Sequence, residues 1–309
     1  MFYTASHSNR RRPALAGSVS AVYGMCGYYE AVVEEGREWR CRRRAARSLD
    51  PVENFVFETH RPSNYLRRLA DSDIGRHYKA IALAQLEARP GDTVVDLGCG
   101  PGADLAALAD ATEPDGLVIG IDIDAAAVAE ASAQHSADSR IKLYHNDIHE
   151  LFLPDVSADR ARTDRVLQHV AEPAVVLHEI RRVLRPHARA VFAEPDWETL
   201  VVDHHDQELS RAYTHFVADI AVRNGAIGRK LPALALQSGF DVSDVLPITT
   251  VFRDIRSADR VFGFGRVCER AVAADYLTRE QADRWLRGLA SEPFFASATL
   301  FIVTAIRKP

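Results

Sequence analysis

Residues 94–102 read Val-Val-Asp-Leu-Gly-Cys-Gly-Pro-Gly. Asp96 closes an apolar stretch, and Gly98, Gly100 and Gly102 alternate behind it before the apolar run Leu105–Leu108. Glycines so placed let a backbone approach a ligand closely and adopt turns that a side chain opposes. The spacing is G-x-G-x-G, whereas a dinucleotide turn has G-x-G-x-x-G, and no Gly-Lys-Ser/Thr follows as in a nucleoside-triphosphate loop. A carboxylate at Asp96 repels a pyrophosphate and favours an ammonium. Asp122 ends the next apolar stretch, where it is placed to accept from vicinal ribose hydroxyls; Asp124 is the better cap for the helix that follows. In Asn146-Asp147-Ile148, Asp147 is placed to accept from a base amino group, with Ile148 against the ring. These residues describe a nucleoside carrying an amino-acid tail.

Such acids must sit at the ends of neighbouring strands. Apolar runs predict strands over 93–97, 117–121, 141–145, 188–193, 242–252 and 299–306, and a polar one around 160–163. Helical spacing predicts helices over 73–86, 105–111, 125–136 and 172–184, a long amphipathic helix through Leu209, Ala212, Phe216 and Ile220, and another over 231–238 closed by Gly239. Strands alternating with helices argue for a doubly wound, mostly parallel α/β sheet that binds ligands beyond its strand ends. The last two strands are expected to be antiparallel neighbours, with a helical insertion over 257–290 between them. Residues 1–70 read as a basic tail and a helical cover, followed by one domain over 71–309 with cover insertions near 200–230 and 257–290.

The 309 residues are 47% hydrophobic with a formal net charge of -5, which offers no general attraction for nucleic acid. Four cysteines are widely spaced, with neither metal-ligand spacing nor a disulfide framework, so a reducing cytoplasm is the expected compartment. No segment approaches the roughly 20 apolar residues that cross a bilayer, and membrane insertion is not expected.

Val94–Gly102, Gly120–Asp124, Asn146–Ile148 and Arg165-Val166-Leu167-Gln168-His169-Val170, extended by Val183–Pro186 and Val191–Asp196, resemble the successive motifs of class I S-adenosylmethionine-dependent methyltransferases. The nearest likeness is to the ubiquinone/menaquinone-type and bacterial natural-product enzymes, and it is strongest over 92–200. The resemblance implies a seven-stranded Rossmann-like sheet and S-adenosyl-L-methionine as cofactor, with S-adenosyl-L-homocysteine as product. It implies that Asp96, Gly98, Gly100 and Gly102 surround the methionine part, Asp122 and Ile123 the ribose side, Asp147 and Ile148 the adenine, and Leu167 the cofactor's flank. The chain departs from the family at His187-Ala188, where the family commonly has Gly-Gly, and at the polar Asp159–Thr163 strand.

The acceptor is expected to be a small molecule methylated at O, N or C by in-line displacement. His169, beyond the fourth strand, is the first candidate for a base or anchor because imidazole titrates near neutrality. Asp196 is the second, orienting a hydroxyl or amine, with Glu194 close by and Trp197 as a wall. Tyr28 and Tyr29 in the N-terminal cover, His205 in the Asp-His-His-Asp run over 203–206, and Arg229 complete the acceptor candidates. Adjacent residues of that run diverge in direction, so no metal site is expected. The cover helices are also where two copies would pair. The expected role is in bacterial secondary metabolism; the alternatives are a quinone-type methyltransferase of primary metabolism, a cyclase that keeps the fold without transferring methyl, and a noncatalytic scaffold.

Overall fold

Strand β1 (Thr93–Leu97) is buried along both faces, so its alternate residues serve two different cores. Val95 and Leu97 point into one and Val94 into the other. A strand apolar on both sides needs helices on both sides. The computed structural model describes residues 72–290 and 293–309. The expected N-terminal cover, Tyr28 and Tyr29 included, lies outside the described residues. Helix α1 (Asp73–Leu86) precedes β1; then follow α2 (Leu105–Ala111), β2 (Leu117–Asp122), α3 (Ala125–Gln134), β3 (Ile141–His145), β4 (Ala158–Asp164), α4 (Pro173–Val183) and β5 (Leu184–Val202). Helix α5 (Gln207–Phe216) runs into a π turn over Val217–Ala221, and α6 (Ile227–Gln237) leads to β6 (Phe240–Phe252). Helices α7 (Ile255–Phe262), α8 (Phe264–Ala273) and α9 (Arg279–Leu289) separate β6 from β7 (Ala296–Arg307).

The seven strands lie in the order β3-β2-β1-β4-β5-β7-β6, parallel up to β5, with β7 antiparallel to both β5 and β6. The expected sheet is therefore present, including the antiparallel end. Strand β5 is longer than the sequence suggested because β7 continues to pair past Trp197, with Val201 opposite Ser297 and Val202 opposite Ala296. The helical insertion after β6 divides into three helices around Trp285, Tyr213 and Phe264, whose rings form a separate aromatic core. Gly288 is required there: a Cβ would stand 1.9 Å from Nε2 of His204.

The polar strand β4 finds its explanation in its neighbours. Ala161 is buried towards α4, while Arg160, Arg162 and Asp164 face α1. The Arg160 guanidinium donates to the carbonyls of Leu86 (3.0 Å) and Glu87 (2.9 Å), capping the C-terminal end of α1. Arg189 on β5 donates to the Gln85 carbonyl at 3.0 Å. The arginines on the two strands thus satisfy helix carbonyls that apolar residues would leave orphaned.

Beyond β4 the chain turns at Arg165 and is tied down by Glu194. This wholly buried carboxylate accepts the N–H groups of Val166 (2.8 Å), Leu167 (2.7 Å) and Gln168 (3.3 Å). Burial pushes the Glu194 carboxyl up to about 8, against the opposing pull of its three backbone donors. Asn224 donates to the carbonyls of Leu167 (2.8 Å) and Val170 (2.9 Å), and the Trp197 indole donates to Gln168 at 2.8 Å. Replacing Glu194 strands buried donors, each worth roughly 1–3 kcal/mol. Glu194→Ala is expected to lower the unfolding free energy by about 2–4 kcal/mol in urea titrations; a loss under about 0.5 kcal/mol would refute this account of the turn.

Candidate active site

At the C-terminal end of β1 the glycines hold the conformations their spacing suggested: φ is +71° at Gly98, +54° at Gly100 and +84° at Gly102. A Cβ on Gly98 would stand 2.3 Å from Cγ2 of Val166, so turn and β4 loop pack at backbone distance. The N–H of Gly100 donates to Asp122 at 2.8 Å, and Asp122 also accepts from the Asp124 N–H at 2.8 Å. Each Asp122 oxygen keeps capacity for a further donor, as a carboxylate has about four acceptor sites. Asp124 caps α3 through the N–H groups of Ala126 and Ala127. The Ile123 side chain beside Asp122 is 67% exposed, an apolar face presented at the strand end. Asp147 is exposed and accepts from the His149 N–H (2.9 Å) and Nδ1 (2.6 Å), which hold its carboxyl below the usual carboxylate range.

The floor of the cleft is ionic. Arg162, 2% exposed, reaches Asp104 at 2.9 Å, Asp164 at 3.2 Å and Asp96 at 3.6 Å. Lys79 on α1 lies 2.6 Å from both Asp104 and Asp164, and the Tyr78 hydroxyl donates to Asp164 at 3.2 Å. Asp104 stands at the N-terminal boundary of α2 but makes no side-chain capping bond; its carboxylate serves Arg162 and Lys79 instead, and they hold its pKa down to about 2. At Asp96 burial outweighs Arg162 and raises the carboxyl to about 6. These groups, the glycine turn and Arg165 line a recess of about 40 Å³. A second, apolar recess of about 50 Å³ shares Tyr78 and Arg165 with the first and continues over Trp197, Phe252, Phe262 and Leu300.

Several sequence expectations are corrected. Asp96 does not stand open to an ammonium: it is 4% exposed and already faces Arg162. Ile148 is 7% exposed and packs in the core with Leu151 and Leu153, leaving Ile123 as the apolar face at the rim. The Leu167 side chain is wholly buried in that same core and cannot flank a ligand. Asp196 is also wholly buried, and Arg229 grips both of its oxygens while reaching Glu198 at 2.7 Å. The two candidates thus neutralise each other, and neither is offered to an acceptor. His169 lines neither recess; burial, Arg165 and Arg223 push its pKa down to about 3, making it too weak a base for proton transfer near neutrality. His205 stacks on His204 at 4.2 Å, outside both recesses. Trp197 does border the apolar recess. Among the described residues no cluster of His, Cys, Asp and Glu has metal-binding geometry.

Sequence reasoning missed Tyr78, Lys79, Asp104, Arg162, Asp164 and Arg165. The available signal was β4 itself: charges at alternate positions of a central strand require buried partners.

The comparisons agree with this geometry. A family model described as a methyltransferase domain matches residues 88–237. The chain is 51% identical over 268 residues to an uncharacterized 37.1 kDa protein in transposon TN4556 of Streptomyces fradiae, covering 86% of this chain and 78% of that one. It is 34% identical over 122 residues to a 2-phytyl-1,4-naphtoquinone methyltransferase of Synechococcus elongatus, covering 38% of this chain and 52% of the relative, so it spans about half the length of that enzyme. The YcgJ protein of Bacillus subtilis superposes with a TM-score of 0.56 at 16% identity over 76% of this chain and 99% of its own, a likeness of fold alone. The chain belongs to the class I S-adenosylmethionine-dependent methyltransferases, and S-adenosylmethionine is its cofactor.

The donor set fits that group. Asp122 retains acceptor capacity, Ile123 offers an apolar face, and the ionic floor presents both signs of charge to a zwitterionic tail. Among the described residues no helix is long and apolar enough to cross a membrane.

The depressed pKa of His169 has a pH signature. Its folded value, about 3, lies below the ordinary 6.5, so the unfolded chain binds more protons. Stability from this group is complete above 6.5 and falls as pH drops towards 3. His169→Gln is expected to remove about 1–2 kcal/mol of the stability lost between pH 7 and pH 5; identical acid profiles for wild type and variant would contradict the assignment.

Proposed function

We propose that this protein methylates a small, largely apolar molecule in bacterial secondary metabolism, within the cytoplasm. The observation that carries the reading is the apolar recess abutting the glycine-turn cleft, with Tyr78 and Arg165 common to both. A cleft that opens onto rings and aliphatic walls suits an enclosed organic acceptor better than a polymer. The three helices after β6 act as the cover, since Val261 and Phe262 of α7 border the recess.

When bound, the cofactor supplies an electrophilic methyl group on a sulfonium. The chain's own residues bind and align. Asp122 takes the ribose hydroxyls, Asp147 the base amino group, and Ile123 packs against the base. Lys79 and Arg162 meet the carboxylate of the tail, while Asp104 and Asp164 meet its ammonium. Trp197 and Phe252 hold the acceptor's apolar body and exclude water, so that alignment supplies much of the rate. Neither His169 nor Asp196 serves as a proton acceptor in this reading.

A quinone-like acceptor is the second reading, supported by the identity with a naphtoquinone methyltransferase. Both readings predict that methyl-labelled S-adenosylmethionine, incubated with the protein and a bacterial small-molecule extract, places label in an organic-soluble compound heavier by one CH₂ unit. Asp122→Ala, which loses a charged acceptor worth roughly 1.5–3 kcal/mol, is expected to weaken S-adenosylhomocysteine binding about tenfold or more and cut labelling in parallel. Label found only in protein or nucleic acid would overturn the small-molecule assignment.

A further inference from the structure

We propose that the acceptor is an apolar ring compound whose methylated atom is an acidic oxygen, phenolic or enolic, held as its anion by Arg165. This rests on the reading of the apolar recess as the acceptor site, and it narrows that reading from any O, N or C nucleophile to one.

The inference comes from what lines the recess. Among its described residues there is no carboxylate, imidazole or thiol. Arg165 is the charged residue of that lining, and Tyr78 is its phenol. Tyr78 already donates to Asp164, and the charge of Asp164 is met by Lys79 at 2.6 Å and Arg162 at 3.2 Å. On the remaining sides β5 contributes Pro195 and Trp197, β6 and β7 contribute Thr250 and Thr299, and α7 contributes apolar residues. The recess thus carries one positive charge, exactly where it meets the cofactor cleft, and no group able to take a proton from a neutral nucleophile.

Arg165 is also held there at a cost. Its φ of +62° is a left-handed conformation that a side chain disfavours, and a glycine would adopt it freely. Its N–H donates to the Ala193 carbonyl at 2.8 Å, and Glu194 grips the next three N–H groups. Strain maintained by such surroundings is characteristic of functional positions. The guanidinium is near enough to Tyr78 and His169 to bias both towards lower pKa. The same field lowers the pKa of an acceptor hydroxyl and repels an ammonium.

The acceptor hydroxyl therefore releases its proton to solvent before attack, which is why the recess needs no base. An oxygen lone pair forms the new O–C bond as the S–C bond of the methyl donor breaks, with that pair remaining on sulfur. Anion and sulfonium become a neutral ether and a neutral thioether, and no oxidant or further reactant is required.

Absorbance titration of bound 2-naphthol tests this without turnover. In the wild-type protein with S-adenosylhomocysteine, naphthol is expected to ionise about one pH unit lower than in water, a tenfold preference for the anion. Arg165→Gln is expected to abolish the shift, and Arg165→Lys to retain part of it, with melting curves of both variants recorded to confirm folding. 2-Naphthylamine is expected to bind at least tenfold more weakly than naphtholate to the wild type. Naphthol that fails to bind, an unshifted ionisation in the wild type, or tighter binding of the amine would each overturn the proposal, and none of these needs a variant to fold. Wild-type protein that binds S-adenosylhomocysteine but leaves naphthol unshifted sinks this inference alone; failure to bind S-adenosylhomocysteine sinks the broader reading.

Discussion

A single buried guanidinium organises the cleft. Arg162 lies in the centre of the sheet on β4 and is compensated by Asp104, Asp164 and Asp96. Those acids belong to three different places: the start of α2, the end of β4 and the end of β1. Lys79 completes the cluster from α1. A buried charge that loses its partner costs several kcal/mol, so none of these elements moves away cheaply. Helix α1, the glycine turn and β4 are thereby fixed to one another at the place where the cofactor's charged tail must lie. A nearly balanced set of fixed charges accepts a zwitterion and rejects a pyrophosphate, which would face three carboxylates.

The second constraint is the turn that follows. Glu194 and Asn224 fix the backbone of 166–170, and Arg165 is delivered to the boundary between the ionic cleft and the apolar recess. The site combines stiff surroundings with few groups capable of acid–base work. Such an arrangement suits a reaction limited by alignment rather than by proton transfer.

Much of this was legible in the sequence. The apolar runs and their endings located all seven strands, and alternating glycines located the turn, because both signals are local. Asp122 was legible for the same reason: Asp124 is the natural cap, which left the earlier acid for the cleft. The partners of buried charges were not legible, since they depend on contacts between distant segments. Arg162 meets Asp104 across 58 residues, and Arg229 meets Asp196 across 33. Asp196 and Arg229 each resembled an open functional group until the fold paired them. Ile148 and Ile123 exchanged expected roles because burial of a rim residue depends on how α4 packs behind β3, which periodicity does not report. His169 looked suited to proton transfer from its intrinsic pKa, but burial beside two arginines removes that capacity.

The central claim is that the ion cluster around Arg162 both holds the cleft together and receives the cofactor's tail. Arg162→Met, with unfolding followed in urea and S-adenosylhomocysteine binding followed by calorimetry, tests it most directly. The account predicts a loss of roughly 3–5 kcal/mol of stability, together with at least tenfold weaker binding in the protein that remains folded. A variant within about 1 kcal/mol of wild type that binds the nucleoside with unchanged affinity would contradict it.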